Sequence, residues 1–507
     1  MQPYILFGLI LRLIYAPFLL QWFHPDERQT LEFAHFIAHH RLHPFMESSI
    51  HLRNQTAPFL FSWLIRGLDS LSLQHPWAYL TGIQWMIGIW NGAGFLALLQ
   101  VFQKLYPNQP KLKNTLGWFF ALFWGFSALY SRPLLESLSF APCAFLLLSV
   151  LERKTLKAGM WAGTTAFLRY PSALWALGGA LTILYLSIQS EDRRTQPLFK
   201  KAILYISSFT LLFLIGGIAD YFVYGKFLKS APEYWHFNQP HGPVEKLFGN
   251  DTLIVYLRWF EYLFTPWLAP IVIVLGGISL FRNQVLLCYC LPYIIGHLWT
   301  PHREPRFMLP LTPFIFLAIF GFTGQLIQKN HLISNPTLKK VGDRIVILHF
   351  ILNFLWIPLY AWGQWNSAQG LLLRNYKKFQ SSQSDVFFSP DPIPIQPVDA
   401  IIPPEINWID SKCNQHRPLP PSSDSIFIFS RSILQKCTAI SDLPFFSSSN
   451  LEQTYFERIF RIRGSQLWKC SKETLKTYCP QGMHISSVGE PYFGNQLGRE
   501  ENGKFEH

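Results

Sequence analysis

Long apolar stretches separated by short polar segments run through residues 1–362 of this chain. An apolar stretch of roughly 17–25 residues is long enough to cross the hydrocarbon core of a bilayer as a helix. Helix is the expected state, because the backbone groups of a segment in lipid must be satisfied within that segment. The pattern predicts about eleven spans, at about 3–22, 80–103, 115–131, 138–151, 157–170, 172–190, 202–224, 262–281, 284–300, 307–327 and 344–362.

The positions of Lys and Arg indicate how these spans are oriented. Cytoplasmic loops of membrane proteins carry an excess of both residues. With the N-terminus inside and the spans alternating, the basic clusters all fall in inner loops, at 104–113, 153–157, 193–201, 282 and 329–344. The outer side then receives the polar segments 23–79, 131–138, 225–261 and 301–306, and everything after about 363.

Composition supports a membrane protein. Charged residues make up 14% of the chain and hydrophobic residues 50%, whereas soluble globular proteins carry roughly 25% charged residues. The net charge of +13 raises the question of a nucleic-acid partner, but the basic residues do not form one basic face. We therefore expect the lipid bilayer as a partner and no nucleic acid.

The segment 363–507 differs from the rest because it contains no span and is rich in Pro and Ser. Short apolar runs such as Ile426–Phe429 suggest strands. We predict a membrane domain over 1–362 and a small soluble domain of α+β or β type over 363–507, outside the cytoplasm. Four cysteines there can form two disulfides in an oxidising compartment, in any of three pairings, or remain thiols. They are Cys413, Cys437, Cys470 and Cys479.

The first candidate motif is His24-Pro25-Asp26-Glu27, at the outer end of the first predicted span. Ionisable groups at such a position are functional candidates, because adjacent carboxylates are costly to remove from water. We expect Pro25 to end the first helix, so that Asp26 and Glu27 project from a turn. The alternative is a solvated loop with incidental acids.

The second candidate motif is Pro301-His302-Arg303-Glu304-Pro305-Arg306-Phe307, at the start of another span and on the same predicted side. Arginine presents a planar fork of donors that suits phosphate oxygens. Two arginines at a membrane interface can also simply snorkel to water. Four ionisable groups within five residues favour a phosphate or sugar site.

Further polar residues lie in the predicted outer segments or at the span ends that lead into them, each a weak signal by itself. They are Glu47, Arg53, Asn54, Arg132, Glu136, Arg169, Asp220, Tyr224 and Asn238. The chain has no Gly-rich phosphate loop, no evident Ser-His-Asp set and no Cys/His spacing for zinc. We therefore predict neither a metal nor a cofactor.

Both motifs resemble the hallmark motifs of glycosyltransferase family 22, the Alg9-like mannosyltransferases, which include enzymes of GPI-anchor and N-glycan assembly. The supporting residues are also similar, in the same order along about 1–362: Glu47 with Arg53, Ser131-Arg132, Arg169, and Asp220 with Tyr224-Gly225 and Asn238. The resemblance implies an all-α polytopic membrane protein of the GT-C fold. It implies inverting transfer of mannose, or a similar hexose, from a polyprenyl- or dolichyl-phosphate sugar to a glycan or glycolipid acceptor.

The roles of the motif residues follow from what such a transfer requires. A base must take the proton of the acceptor hydroxyl, and cations must hold the leaving phosphate. Our hypothesis is that Asp26 is the base and that Glu27 orients it or the acceptor. His302, Arg303 and Arg306 would hold the phosphate. The other expected substrate-binding residues are His24, Glu47, Arg53, Arg132, Asn238 and Glu304.

Two alternatives remain at this point. One is a transporter or carrier for a lipid-linked or anionic substrate, although transporters favour midplane charges and repeated halves, and no internal repeat is evident. The other is a different GT-C transferase. The compact loops favour a bacterial plasma membrane with the active site and C-terminal domain outside. The endoplasmic reticulum is second, where Asn54 and Asn250 would be glycan acceptors.

Overall fold

A computed structural model describes residues 3–20, 25–39, 51–189, 197–239, 241–249, 251–264, 268–330 and 336–365, together with the short strands given below. The α-helices of these residues are labelled α1 to α17 in chain order. They are Pro3–Tyr15, Pro25–Ala38, Thr56–Ser70, Pro76–Leu105, Pro110–Leu122, Trp124–Ala128, Leu135–Leu151, Thr155–Leu168, Ala173–Gln189, Leu198–Tyr224, Ser230–Asn238, Pro243–Phe248, Ile254–Leu263, Leu268–Arg282, Gln284–Trp299, Thr312–Asn330 and Pro336–Trp365.

Each apolar stretch that the sequence predicts as a span overlaps one or two of these helices. By length and apolar character, three described helical segments can cross a membrane unaided: Pro76–Leu105, Leu198–Tyr224, and Tyr170–Gln189, which is α9 together with the 3₁₀ turn Tyr170–Ser172 before it. The number rises to five if two bent helix pairs each count as one span. The chain is therefore a mostly helical, polytopic membrane protein, and the number of eleven spans stays a prediction.

Small residues let some of the helices approach closely. Gly159 and Gly163 of α8 face α10, where a Cβ added at Gly159 would lie 2.0 Å from the Ser208 Oγ and 2.3 Å from the Tyr205 carbonyl oxygen. Close backbone approach at small residues four apart is a common way for membrane helices to associate. The opposite side of α10 exposes large apolar side chains such as Ile206 and Phe222, as expected of a surface that faces lipid.

A break between α6 and α7 brings polar residues into the interior of the bundle. The segments Trp124–Ser131 and Leu135–Leu151 meet at 109°. Arg132 precedes Pro133 and is extended, because proline disfavours helical backbone in the residue before it. The break therefore buries Arg132, and the first turn of α7 buries Glu136.

Beyond α17, the described residues are short strands, β1 to β7, that form one seven-stranded mixed sheet. They are Val386–Phe388, Asn407–Ile409, Asn414–Gln415, Ser425–Ser430, Thr438–Ala439, Gln466–Ser471 and His484–Ile485, in the spatial order β5-β6-β4-β1-β2-β3-β7. β4 and β6 are antiparallel, with Ser425 opposite Ser471. The predicted strand at Ile426–Phe429 lies within β4. The domain boundary and the pairing of the four cysteines stay predictions.

Candidate active site

The two motifs meet inside the helical bundle, although 280 positions separate them in the chain. The Arg306 guanidinium donates through Nη1 to Oδ2 of Asp26. Both side chains are buried, with exposed fractions of 8% and 11%. Arg306 lies in a 3₁₀ turn, Pro305–Met308, and Asp26 lies at the start of α2.

The expectation for the first motif needs one correction. Pro25 does not leave the acids in a turn: it begins α2, and Asp26 and Glu27 occupy the first turn of that helix. Proline suits the first helical position because its missing N–H would have no helical partner there. Acidic residues in the first turn interact favourably with the positive end of the helix dipole. Both carboxylates are thus held by a helix rather than by a loop.

Arg53 is the second cation on Asp26. Its Nη1 lies 2.9 Å from Oδ2 and its Nη2 lies 2.9 Å from Oδ1 of Asp26, which makes a two-pronged ion pair. The backbone carbonyl of Arg53 accepts hydrogen bonds from the Tyr224 hydroxyl (3.0 Å) and from Gln55 Nε2 (3.0 Å). Asp220 in turn accepts from the Gln55 backbone N–H at 3.2 Å. The end of α10 therefore positions Arg53.

Glu27 forms a separate, deeper ion pair. Its Oε2 accepts from Arg132 Nη1 at 3.0 Å, and the two side chains are 0% and 1% exposed. Arg132 Nη2 also donates to the Tyr360 hydroxyl at 3.2 Å. This pair ties α2 to the break before α7 and to the last helix, α17.

His302 is part of a chain of charges that leads to Arg306. Its Nδ1 lies 3.0 Å from Asp251 Oδ2 and its Nε2 lies 2.9 Å from Glu304 Oε1. Glu304 also accepts from Arg306 Nε. Burial lowers the pKa of His302, but the hydrogen bonds and charges of Glu304 and Asp251 outweigh burial, so the pKa is raised above its usual value. An imidazole with a carboxylate at each nitrogen is favoured in its doubly protonated form.

A third carboxylate lies beside Arg306. Glu136 Oε1 is 3.6 Å from Arg306 Nη1 and accepts from Arg169 Nε at 3.2 Å. The Arg169 guanidinium lies over the Phe307 ring, 4.7 Å from its centroid. Burial raises the pKa of the Tyr234 phenol, and the positive charge of Arg169 opposes that rise.

Sequence reasoning did not select several of these residues as site residues. Glu136 stood out only as a weak, isolated polar position, and Arg169 as a weak position that also supports the resemblance to family 22. Tyr234 carries no signal beyond its predicted outer segment, and Asp251 drew notice only as the middle of a glycosylation sequon. One signal could have found Asp251: it is itself a carboxylate in a predicted outer segment, on the same side as His302.

Two predicted site residues have other partners in the structure, and two more lie outside the described residues. The Arg303 guanidinium donates to the backbone carbonyls of Asp251 and Leu298. Asn238 donates to the Tyr234 carbonyl at 2.9 Å, within its own helix. His24 and Glu47 lie outside the described residues.

The sequon at Asn54 is closed to modification in this fold. Asn54 is 5% exposed, and its Nδ2 donates to the Tyr170 hydroxyl at 3.1 Å. Its Oδ1 accepts from the Thr56 backbone N–H at 2.8 Å. A glycan on Asn54 would require these contacts to break, and Asn250 lies outside the described residues.

The central charges balance, and Arg306 keeps a nitrogen that is available to a ligand. Asp26, Glu136 and Glu304 face the guanidinium groups of Arg53, Arg169 and Arg306. Nη1 and Nε of Arg306 are engaged, whereas its Nη2 forms no hydrogen bond with the described residues. Within the described parts of the chain, no group of three or more His, Cys, Asp or Glu side chains could hold a metal ion.

Fold and site together define an integral membrane protein in which charged residues from distant segments meet within a helical bundle. The sequence profile of the Alg9-like mannosyltransferase family matches residues 4–385, and the chain belongs to this family. It is thus a glycosyltransferase, as its resemblance to family 22 predicts, and family membership disfavours the transporter alternative.

Other comparisons add little. No curated protein matches the chain. Among solved structures, the crystal structure of ArnT from Cupriavidus metallidurans bound to undecaprenyl phosphate is similar over 92% of this chain and 97% of that chain. Sequence identity to ArnT is 10% and the TM-score is 0.48. A likeness of this degree carries no argument about the present chain.

Proposed function

We propose that this chain is an inverting glycosyltransferase that moves a mannosyl, or similar hexosyl, residue from a polyprenyl- or dolichyl-phosphate sugar to a glycan or glycolipid acceptor. The observation that carries the proposal is the direct contact of Asp26 with Arg306 and Arg53 in a buried site. A carboxylate beside two guanidinium groups supplies both things that the reaction needs: a proton acceptor and donors for a phosphate.

The donor phosphate is the ligand that suits the arginines. Nη2 of Arg306 forms no hydrogen bond with the described residues, and guanidinium forks bind phosphate oxygens as well as carboxylates. A phosphate that enters competes with Asp26 for Arg306 and Arg53. Phosphate binding thus frees Asp26 at the moment when a base is required.

The chemical step then balances within the site. The acceptor hydroxyl oxygen bonds to the anomeric carbon and its proton passes to Asp26. The bond from the anomeric carbon to the phosphate oxygen breaks, and that oxygen keeps the electron pair. Arg306 and Arg53 stabilise the negative charge that grows on the departing lipid phosphate. In-line attack opposite the phosphate inverts the anomeric centre.

In this proposal, Glu27 and Arg132 act indirectly, without contact with the substrate. Their ion pair is inaccessible to solvent, so direct contact with substrate would require the pair to open. The pair instead anchors the first turn of α2 and thereby orients Asp26. His302 and Glu304 likewise orient Arg306, through the Glu304–Arg306 contact.

The location is part of the same proposal. The segments that carry Asp26, Arg53, Glu136, Arg169 and Arg306 contact one another, and the Lys/Arg pattern assigns all of them to the outer side. This favours an active site on the non-cytoplasmic side of a bacterial plasma membrane, with the segment 363–507 on that side too. The endoplasmic reticulum, with a lumenal site, remains the alternative.

Replacing Asp26 by Asn tests the base. Asp26→Asn keeps the shape but removes the proton acceptor, so we expect turnover to fall on the order of 10²-fold or more. The assay measures transfer of radiolabelled mannose from polyprenyl-phosphate mannose to lipid acceptors in membranes that contain the protein. The matched control is Glu152→Gln, whose carboxylate pairs with Lys154 outside the site. Near-normal turnover of the Asn variant would remove Asp26 from this role.

Replacing Arg306 by Ala tests the phosphate site. Arg306→Ala removes the donors and leaves Asp26 with Arg53, so we expect both weaker donor binding and slower transfer. Arg282→Ala is the control, because Arg282 is exposed at the end of α14. Unchanged KM for the donor together with unchanged turnover would contradict the assignment of Arg306 to the phosphate.

A further inference from the structure

Two polar atoms beside the proposed phosphate site have no hydrogen-bond partner among the described residues. Glu136 Oε2 and Arg169 Nη1 are both buried, and neither forms a hydrogen bond within the described residues. The two side chains are only 3% and 7% exposed. A buried polar group without a partner is costly, and charged groups more so than neutral ones. A native structure with two such atoms in adjacent side chains is expected to use them.

The chemistry of the pair specifies the ligand. The carboxylate oxygen needs a donor and the guanidinium nitrogen needs an acceptor. A hydroxyl group is both, since its hydrogen donates and its oxygen accepts. An anion would be repelled by Glu136, and a cation would be repelled by Arg169. A sugar hydroxyl therefore fits these two atoms better than a phosphate does.

The position of the pair indicates that the hydroxyl belongs to the donor sugar. Glu136 Oε1 lies 3.6 Å from Nη1 of Arg306, the residue proposed above to hold the donor phosphate. With the phosphate on Arg306, the sugar attached to it is the part of the donor that we expect beside Glu136. Phe307 continues from Arg306 and packs beneath Arg169, 4.7 Å from its guanidinium carbon, and supplies an apolar wall on that side.

We propose that Glu136 and Arg169 bind a hydroxyl group of the donor sugar close to its anomeric carbon, and so contribute to the choice of sugar. This inference rests on the proposed function. Oε2 of Glu136 would accept the hydroxyl hydrogen, and Nη1 of Arg169 would donate to the hydroxyl oxygen. Because both atoms are shielded from solvent here, donor binding must include a local rearrangement that admits the hydroxyl.

The test combines enzyme variants with deoxygenated donors. The wild type, Glu136→Gln and Arg169→Lys are each assayed with polyprenyl-phosphate mannose and with its 2-deoxy, 3-deoxy, 4-deoxy and 6-deoxy analogues. For the wild type, removal of the contacted hydroxyl should lower kcat/KM about 10- to 100-fold, the effect of a hydrogen bond to a charged group. Glu152→Gln serves as the control variant, and size-exclusion profiles of all variants report folding.

We expect the variant and the deoxygenated donor to have independent effects on kcat/KM except where the donor lacks the contacted hydroxyl. The hydroxyl next to the anomeric carbon is the 2-hydroxyl. With the 2-deoxy donor, kcat/KM of the Glu136→Gln variant should therefore be close to that of the wild type, because the contact with Glu136 is already missing. With the other analogues, the effects of variant and donor should multiply. A purely structural role for Glu136, or an enclosed water at the pair, predicts multiplication for every donor, and that result would overturn the inference. Absence of wild-type transfer from any polyprenyl-phosphate hexose, mannose included, would instead refute the proposed function.

Discussion

The buried pair of Glu27 and Arg132 offers the sharpest test of how this site is built. The two charges lie 3.0 Å apart and are almost completely removed from water. Replacing Arg132 by Met leaves the Glu27 carboxylate buried without this cation. Removal of one partner from a buried ion pair costs about 3–5 kcal/mol, so Arg132→Met should lower the stability of the purified protein by that amount.

The double variant tests whether Glu27 only positions α2 or acts on the substrate itself. Glu27→Gln combined with Arg132→Met removes both charges, so its loss of stability should be smaller than the sum of the single losses. We expect a coupling free energy of about 2 kcal/mol, within the range for residues in direct contact. Unfolding midpoints of the four proteins in detergent, with a common denaturant, give this value.

Turnover of the same four proteins provides the second readout. If Glu27 only positions α2, the double variant should regain transfer activity relative to Arg132→Met alone. The reasoning is refuted if the double variant is stable but inactive, since Glu27 would then act on the substrate itself. A coupling free energy near zero would also refute it, because the pair would then contribute nothing to the fold.

Two further predictions concern packing and pH. Gly159→Leu should destabilise the protein by about 1–3 kcal/mol, because the added atoms collide with α10; Gly277→Leu, with nothing within 4 Å of the new Cβ, should change the melting temperature little. His302 has a raised pKa in the folded protein, so its stabilising effect is complete below about pH 6.5, the unfolded value. That effect is lost as pH rises through the folded pKa. Melting curves across pH should show this loss in the wild type and not in His302→Gln, and parallel curves would contradict it.

Much of the fold was predictable because membrane helices are specified locally. Each helix must satisfy its own backbone hydrogen bonds, so apolar length alone reveals it. The break at Pro133 is a case in which the same local rule marks the end of one helix and the start of another. The expectation for Pro25 failed because proline is compatible with the first position of a helix as well as with the end of one. Local sequence did not separate these two uses.

The sequence by itself determined which side chains could carry the chemistry: an acidic pair near one span and a cluster of arginines, histidine and glutamate near another. Only the tertiary structure decided their partners. It joined Arg306 and Arg53 to Asp26, enclosed Glu27 with Arg132, turned Arg303 towards Leu298, and brought Glu136 and Arg169 into the site. The physical reason is that helix formation depends on near neighbours in the chain, whereas ion pairing depends on how helices pack across hundreds of residues.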